Sequence, residues 1–178
     1  MSQLSEPGRV KLFINLIYKA DSSISELLTR LEDKFGGIDF IGDEISFDHS
    51  SYYEKEMGEA LTRKLLTFGE LINRDDIVEI KIFTNSLEGV FSYEGSRTIN
   101  IDPGYIAQEH LILATGKGFS HRPYLGKGIY ADLTLVYKAN EYRTLEWTYP
   151  DYGNKEMRTL FKTLRAEYVK QLDKESRI

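Results

Sequence analysis

The sequence predicts an α+β fold, and three observations predict it. Residues 10–18 alternate, with Val10, Leu12, Ile14, Leu16 and Tyr18 on one face and Phe13 and Ile17 adding apolar weight to the other, as in a strand covered on both sides. Two segments repeat apolar residues at helical spacing, Ile24, Leu27, Leu28, Leu31 and Phe35 in the first and Ile77, Ile80, Phe83, Leu87 and Phe91 in the second. Strand-like segments at 38–47, 61–72 and 97–101 alternate with these helices. Strand, helix, strand, strand, helix, strand is the order of a ferredoxin-like split βαβ core, with a mixed or mainly antiparallel sheet and two helices on one face.

Each element has its own signals. The first helix is expected over 21–35, with Asp21, Ser22 and Ser23 offering N-caps and Gly36-Gly37 stopping it. In the second strand, Gly42 and the acidic pair Asp43-Glu44 suggest a bulge or break, and Gly69 interrupts the third. Between them, residues 48–58 read as a long loop or a short helix. A second helix is expected over 75–91, where Asp75-Asp76 complement the positive helix N-terminus. After an Asp102-Pro103-Gly104 turn, 105–115 reads as a short buried helix and 116–128 as a loop. A hairpin of 129–138 with 142–147 turns about Ala139-Asn140-Glu141. Met157, Leu160, Phe161, Leu164, Tyr168 and Leu172 then define a last amphipathic helix. The core is thus extended by a C-terminal helix, β-hairpin and helix. Short connections and the absence of repeats favour a single α+β domain over 1–178.

Composition excludes several classes. The 178 residues contain no cysteine, so there is no disulfide framework, no thiolate nucleophile and no cysteine-held metal or cluster. No apolar run reaches the roughly 20 residues that span a bilayer, and the polar N-terminus lacks a signal-peptide core. These features predict a cytoplasmic protein without a membrane partner. A net charge of -5 argues against an extended nucleic-acid partner, which calls for a broad basic face.

The charge is unevenly placed. No acidic residue lies between Glu109 and Asp132, where Lys117, Arg122 and Lys127 supply three positive charges beside His110 and His121. Glycines 116, 118, 126 and 128 allow close backbone approach to a ligand, Arg122 has the fork that grips phosphate or carboxylate, and His121 titrates near neutrality. The alternative is a solvated loop whose Arg122 pairs with Asp102 or Asp151. Asp102 sits at a strand end, where ligand sites commonly lie, or else caps the helix beginning near Tyr105. The segment Trp147-Thr148-Tyr149-Pro150-Asp151-Tyr152 offers rings to stack on a base, or a hairpin-to-helix packing seam with Trp147 in the core. Asp43, Glu44, Asp48, His49, Glu54 and Glu56 form a carboxylate and histidine cluster that matches no metal-loop spacing, and no metal is assigned to it.

Three stretches resemble a known family: Asn100-Ile101-Asp102-Pro103-Gly104-Tyr105, the run from His121 to Ala131, and the run from Trp147 to Tyr152. Val10-Lys11-Leu12-Phe13, the Tyr52-Tyr53 to Met57-Gly58 segment and Lys81-Ile82-Phe83-Thr84-Asn85 extend the resemblance over nearly the whole chain. The family is a bacterial one of uncharacterised proteins of about 180 residues, classed as a domain of unknown function and often labelled GTP-binding. It carries no established activity or catalytic residues. The residues fit the GTP label poorly, because Gly116-Lys117-Gly118 and Gly126-Lys127-Gly128 lack the hydroxyl that follows Gly-Lys in a P-loop, and Asn154-Lys155-Glu156-Met157 lacks the aspartate of a guanine-reading motif.

The resulting expectation is binding of a phosphate-bearing small molecule or nucleotide by the glycine-rich basic loop. Asp102, Tyr105, Lys117, His121, Arg122, Tyr124, Lys127, Tyr149 and Asp151 are the ligand candidates, and His121 and Asp102 are the candidates for any catalysis. The alternatives are an enzyme of undetermined reaction at that site, or a protein or RNA interaction module using the tyrosines around Tyr52-Tyr53. No cofactor or oligomeric state follows from the sequence.

Overall fold

The computed structural model describes residues 3–47 and 56–175; the expectations placed on Asp48, His49, Tyr52, Tyr53 and Glu54 lie outside them. The described residues build an α+β structure around one large antiparallel sheet. In chain order they are β1 (Val10–Lys19), α1 (Ser25–Phe35), β2 (Ile38–Ile41), β3 (Ile45–Ser46), β4 (Leu61–Ile72), a 3₁₀ turn (Arg74–Asp76), α2 (Ile77–Val90), β5 (Ser92–Tyr93), β6 (Ser96–Arg97), β7 (Ile99–Ile106), β8 (His110–Thr115), β9 (Tyr124–Gly126), β10 (Ile129–Lys138), β11 (Glu141–Thr144), α3 (Pro150–Gly153) and α4 (Lys155–Glu175). The sheet runs β11-β10-β8-β7-β1-β4-β2, with β3 on β4 and β9 on β10, while β5 and β6 pair separately.

β1 is central because its two faces feed two cores. Leu12, Ile14, Leu16 and Tyr18 join Leu27 and Leu31 of α1 and Ile77, Ile80 and Leu87 of α2. Phe13, on the other face, meets Phe161 of α4 edge-on with ring centroids 5.1 Å apart, among Leu65, Leu113, Leu135 and Tyr168. Period-2 alternation in β1 and the apolar stripes of the helices thus produce a three-layer arrangement. α1 starts at Ser25 without a side-chain cap, four residues later than expected, and ends at Gly36, whose φ of 84° favours glycine. A capping box between Asn73 and Asp76 opens the turn into α2. Gly42 does end β2, but β4 passes through Gly69 unbroken.

Around residue 100 the structure departs from the sequence reading. Asp102-Pro103-Gly104 is not a turn and 105–115 is not a helix. Asp102, Pro103 and Gly104 pair with Asn15, Ile14 and Phe13 inside β7, and residues 110–115 form β8. Proline is tolerated there because strand alternation turns its nitrogen to the same edge as Ile101, where β7 has no neighbouring strand. Gly104 is required by close approach, since a Cβ at this position would lie 2.3 Å from the Ile112 carbonyl oxygen and 2.4 Å from Phe13. The hairpin does turn at Ala139-Asn140, both with positive φ, as a two-residue connection between Lys138 and Glu141. Its second strand ends at Thr144, short of the 142–147 expected.

Gly104→Ala tests the close approach. Overpacking against backbone should cost about 3 kcal/mol, read as a lowered midpoint in urea unfolding.

Candidate functional site

β7 and β8 pair only through Gly104–Ile106 and Leu111–Leu113. Beyond that point β7 follows β1, β8 follows β10, and the sheet parts. A cleft of about 590 Å³ opens at the parting, lined by Asn15, Asn100, Asp102, Lys117, Asp132 and Tyr149 among others, a size ordinary for small-molecule sites. The edge of β7 that faces it is finished by side chains of α2. Glu88 accepts from the Ile101 N–H at 2.7 Å, and Lys81, two turns earlier, donates to the Ile101 carbonyl at 3.0 Å. Lys81 also lies 3.3 Å from Asp102, whose second oxygen accepts from Asn100 at 2.6 Å. Arg97 pairs with Glu56 and Glu88 and donates to Asn100. Lys81, Glu88, Arg97 and Asn100 all line the cleft.

The opposite wall is organised by Asp132 of β10, which is 2% exposed. Arg122 donates to it from Nε at 2.8 Å, to the Lys117 carbonyl at 3.1 Å and to the Tyr149 hydroxyl at 2.7 Å. His121 lies 4.0 Å from the same carboxylate and stacks on Trp147, 4.7 Å between centroids and 13° from parallel. Trp147 is only partly covered and donates from Nε1 to the Leu133 carbonyl, so it belongs to this wall and not to the core. Behind the lining residues Asn15, Asp151 and Tyr152, Arg63 is 3% exposed, pairs with Asp151 at 2.9 Å, donates to Asn15 and lies over the Tyr152 ring.

Of the residues singled out in the sequence, Asp102, Lys117, Tyr149 and Asp151 line the cleft together. His121 and Arg122 stand behind Asp132, and Arg122 pairs with neither Asp102 nor Asp151. Three others lie elsewhere. Tyr105 is buried beyond the parting, beside His110. Tyr124 is exposed and packs on Tyr130, and Lys127 pairs on the surface with Glu79. Asn15, Arg63, Lys81, Glu88, Asn100 and Asp132 were missed. Their signal was present as polar residues at inward positions of apolar strands and of the α2 stripe. From the acidic cluster, Glu44 bonds Lys64 and Tyr18, and Glu56 bonds Arg97. Among the described residues no three such groups gather as a metal site.

Burial pushes the Glu88 carboxyl above its ordinary range, and the Ile101 amide, Lys81 and Arg97 only partly offset this. The Arg97 guanidinium holds Glu56 below it.

The family described as Domain of unknown function (DUF4416) matches residues 8–168. No curated protein matches the chain, and no solved structure does.

The Glu88 shift has a definite sign. A folded-state value above the unfolded 4.5 means that its contribution is complete below pH 4.5 and is lost as pH rises through the folded value. Stability of Glu88→Gln relative to the parent should therefore improve upward from about pH 4.5, measured by urea unfolding across pH. The Glu88 carboxyl carbon should titrate above 4.5 by NMR.

Proposed function

The chain belongs to this family of unknown function, and from that premise we propose that it binds a phosphate-bearing small molecule, a nucleotide being the best fit, in the cleft where β7 and β8 part. The observation that carries this reading is the convergence there of Lys81, Arg97 and Lys117, from three separate segments, with the carboxylates Asp102 and Asp132. Cations suit the phosphate, and carboxylates suit the hydroxyls of a sugar, which donate hydrogen bonds. Tyr149, anchored through its hydroxyl and half exposed at the cleft, is held ready to stack on a base. In this reading the basic loop contributes Lys117 directly, while Arg122 and His121 support the wall.

We read β1, α1, β2, β4, α2 and β7 as a ferredoxin-like split βαβ unit. Support comes from the antiparallel order β7-β1-β4-β2 and from the shared apolar face of the two helices. A second reading, an enzyme acting at the same cleft, is favoured by Glu88, a lining carboxyl that burial biases toward holding a proton. Asp102, which also lines the cleft, fits a catalytic role better than His121, which does not.

A thermal-shift screen against nucleotides and sugar phosphates tests the proposal. A ligand at 100 times its Kd should stabilise the protein by about 2.7 kcal/mol. Lys117→Ala, at an exposed position, should weaken binding about tenfold, read as a smaller ligand-induced rise over the variant's own melting temperature. Absence of any shift across both ligand classes would overturn the reading.

A further inference from the structure

Charge around the cleft is closely matched. Among the described residues, Lys81 faces Asp102 at 3.3 Å, Arg122 faces Asp132 at 2.8 Å and Arg63 faces Asp151 at 2.9 Å, one cation to one carboxylate each. Arg97 differs in having two carboxylates, Glu56 at 2.7 Å and Glu88 at 3.2 Å. Lys117 makes up the difference, since its charge is felt at Glu56. With Glu88 ionised, these lining groups and their direct partners are neutral together, and an entering phosphate would bring uncompensated charge into a partly enclosed site. Positive charge has to be gained, and Arg97 is where it can be. A proton at Asp102, Asp132 or Asp151 would leave a cation without its carboxylate. A proton at Glu88 leaves Arg97 still paired with Glu56.

The geometry of Glu88 suits that exchange. Its Oε1 accepts from the Ile101 N–H at 2.7 Å and its Oε2 from Arg97 Nη1 at 3.2 Å. A proton on Oε2 ends the bond to Arg97 and keeps the one that covers the edge of β7. Arg97 stays in place through Nε and Nη2 on Glu56 and through Nη1 on Asn100, with one Nη1 hydrogen released for an oxyanion. We propose that phosphate binding in the cleft is coupled to the uptake of one proton by Glu88. This coupling rests on the reading of the cleft as a phosphate site and adds its regulation, because the site then takes phosphate more readily as pH falls. The charged groups facing Glu88 are Lys81 on its own helix, Arg97 of β6, Asp102 of β7 and, beyond Arg97, Glu56. Burial, the largest influence, and Asp102 favour the proton, while the Ile101 amide, Lys81 and Arg97 oppose it. The carboxyl thus leans toward uptake before any ligand arrives.

The test is an NMR titration of the ¹³C,¹⁵N-labelled full chain with sodium sulfate, an oxyanion that does not itself titrate between about pH 5 and pH 8, with chloride holding the ionic strength constant. Sulfate should give saturable shifts at the amides of Ile101 and Lys117 and bind about tenfold more tightly at the acid end of that range. By reciprocity, saturating sulfate should raise the midpoint of the Glu88 carboxyl titration by about one pH unit. Glu88→Gln, neutral at every pH, should bind sulfate equally well at both ends. An acid-side gain of the same size in Glu88→Gln, or a Glu88 midpoint that bound sulfate leaves unmoved, would overturn the coupling and leave the cleft reading standing. The midpoint is read on the parent protein, so it decides the matter even if the variant misfolds. Sulfate that binds at neither end of the range would also overturn the coupling, and the thermal-shift screen then decides the cleft reading by itself.

Discussion

The N–H and C=O of Ile101 are bonded to Glu88 and Lys81 of α2 instead of to a neighbouring strand, and this keeps β7 and β8 apart above Gly104. A strand edge left bare inside a protein costs about 1–3 kcal/mol for each unpaired group, so it must be covered or paired. Pairing with β8 would close the cleft. Covering by two long side chains, spaced seven residues apart on one helix face, satisfies the same groups and leaves the gap open. Gly104 fixes where the gap begins, because only a residue without Cβ lets the strands approach at the last paired position. Pro103 then sits at the first position where the missing donor is not needed. The Asn100 to Tyr105 run is therefore the hinge line of the sheet.

On the far wall, one buried carboxylate does for the loops what Ile101 does for the strands. Asp132 would be expensive to bury alone, and the Arg122 guanidinium offsets that cost with a charge-assisted bond. The remaining donors of Arg122 reach the Lys117 carbonyl and the Tyr149 hydroxyl, which ties 117–122 and 147–149 to β10. The stack of His121 on Trp147 closes the same unit. A basic loop that looks from its charges like a ligand grip is largely spent on its own architecture, and only Gly116 and Lys117 from it reach the cleft lining.

This division explains what was legible in the sequence. β1, β4, both apolar helix stripes and α4 follow from local periodicity, which burial on one or both faces imposes directly. Residues 102–115 were misread because Asp-Pro-Gly is turn chemistry when only neighbours are considered. Its conformation here is set by Phe13 and Ile112, distant in sequence. Lys117, Asp102, Tyr149 and Asp151 could be singled out as charged or aromatic residues near loops and strand ends. Asn15, Arg63 and Asp132 are single polar residues among others in three different strands, and what they share is a position on the same face of the sheet. That relation exists only once register is known: Asn15 opposite Asp102, and Arg63 opposite Ile17, which in turn faces Asn100.

The second face of the sheet carries the final step. From Phe13 toward the start of β1 it is covered by α4, with Phe161, Leu164 and Tyr168 packed on Leu65, Leu111 and Leu135. From Asn15 toward the end of β1 the same face mixes a small apolar cluster of Ile17, Phe47, Met57 and Leu61 with four polar residues, Asn15, Arg63, Asn100 and Asp132, each 3% exposed or less. The boundary falls where α3 delivers Asp151 and Tyr152 and α4 begins. Apolar residues at these positions would pack as well, and replacing buried ion pairs by apolar groups is commonly neutral or stabilising. Stability alone therefore does not account for these four buried polar residues. Donors and acceptors held in place beside the cleft are already desolvated and oriented, which is the condition a polar ligand site has to meet.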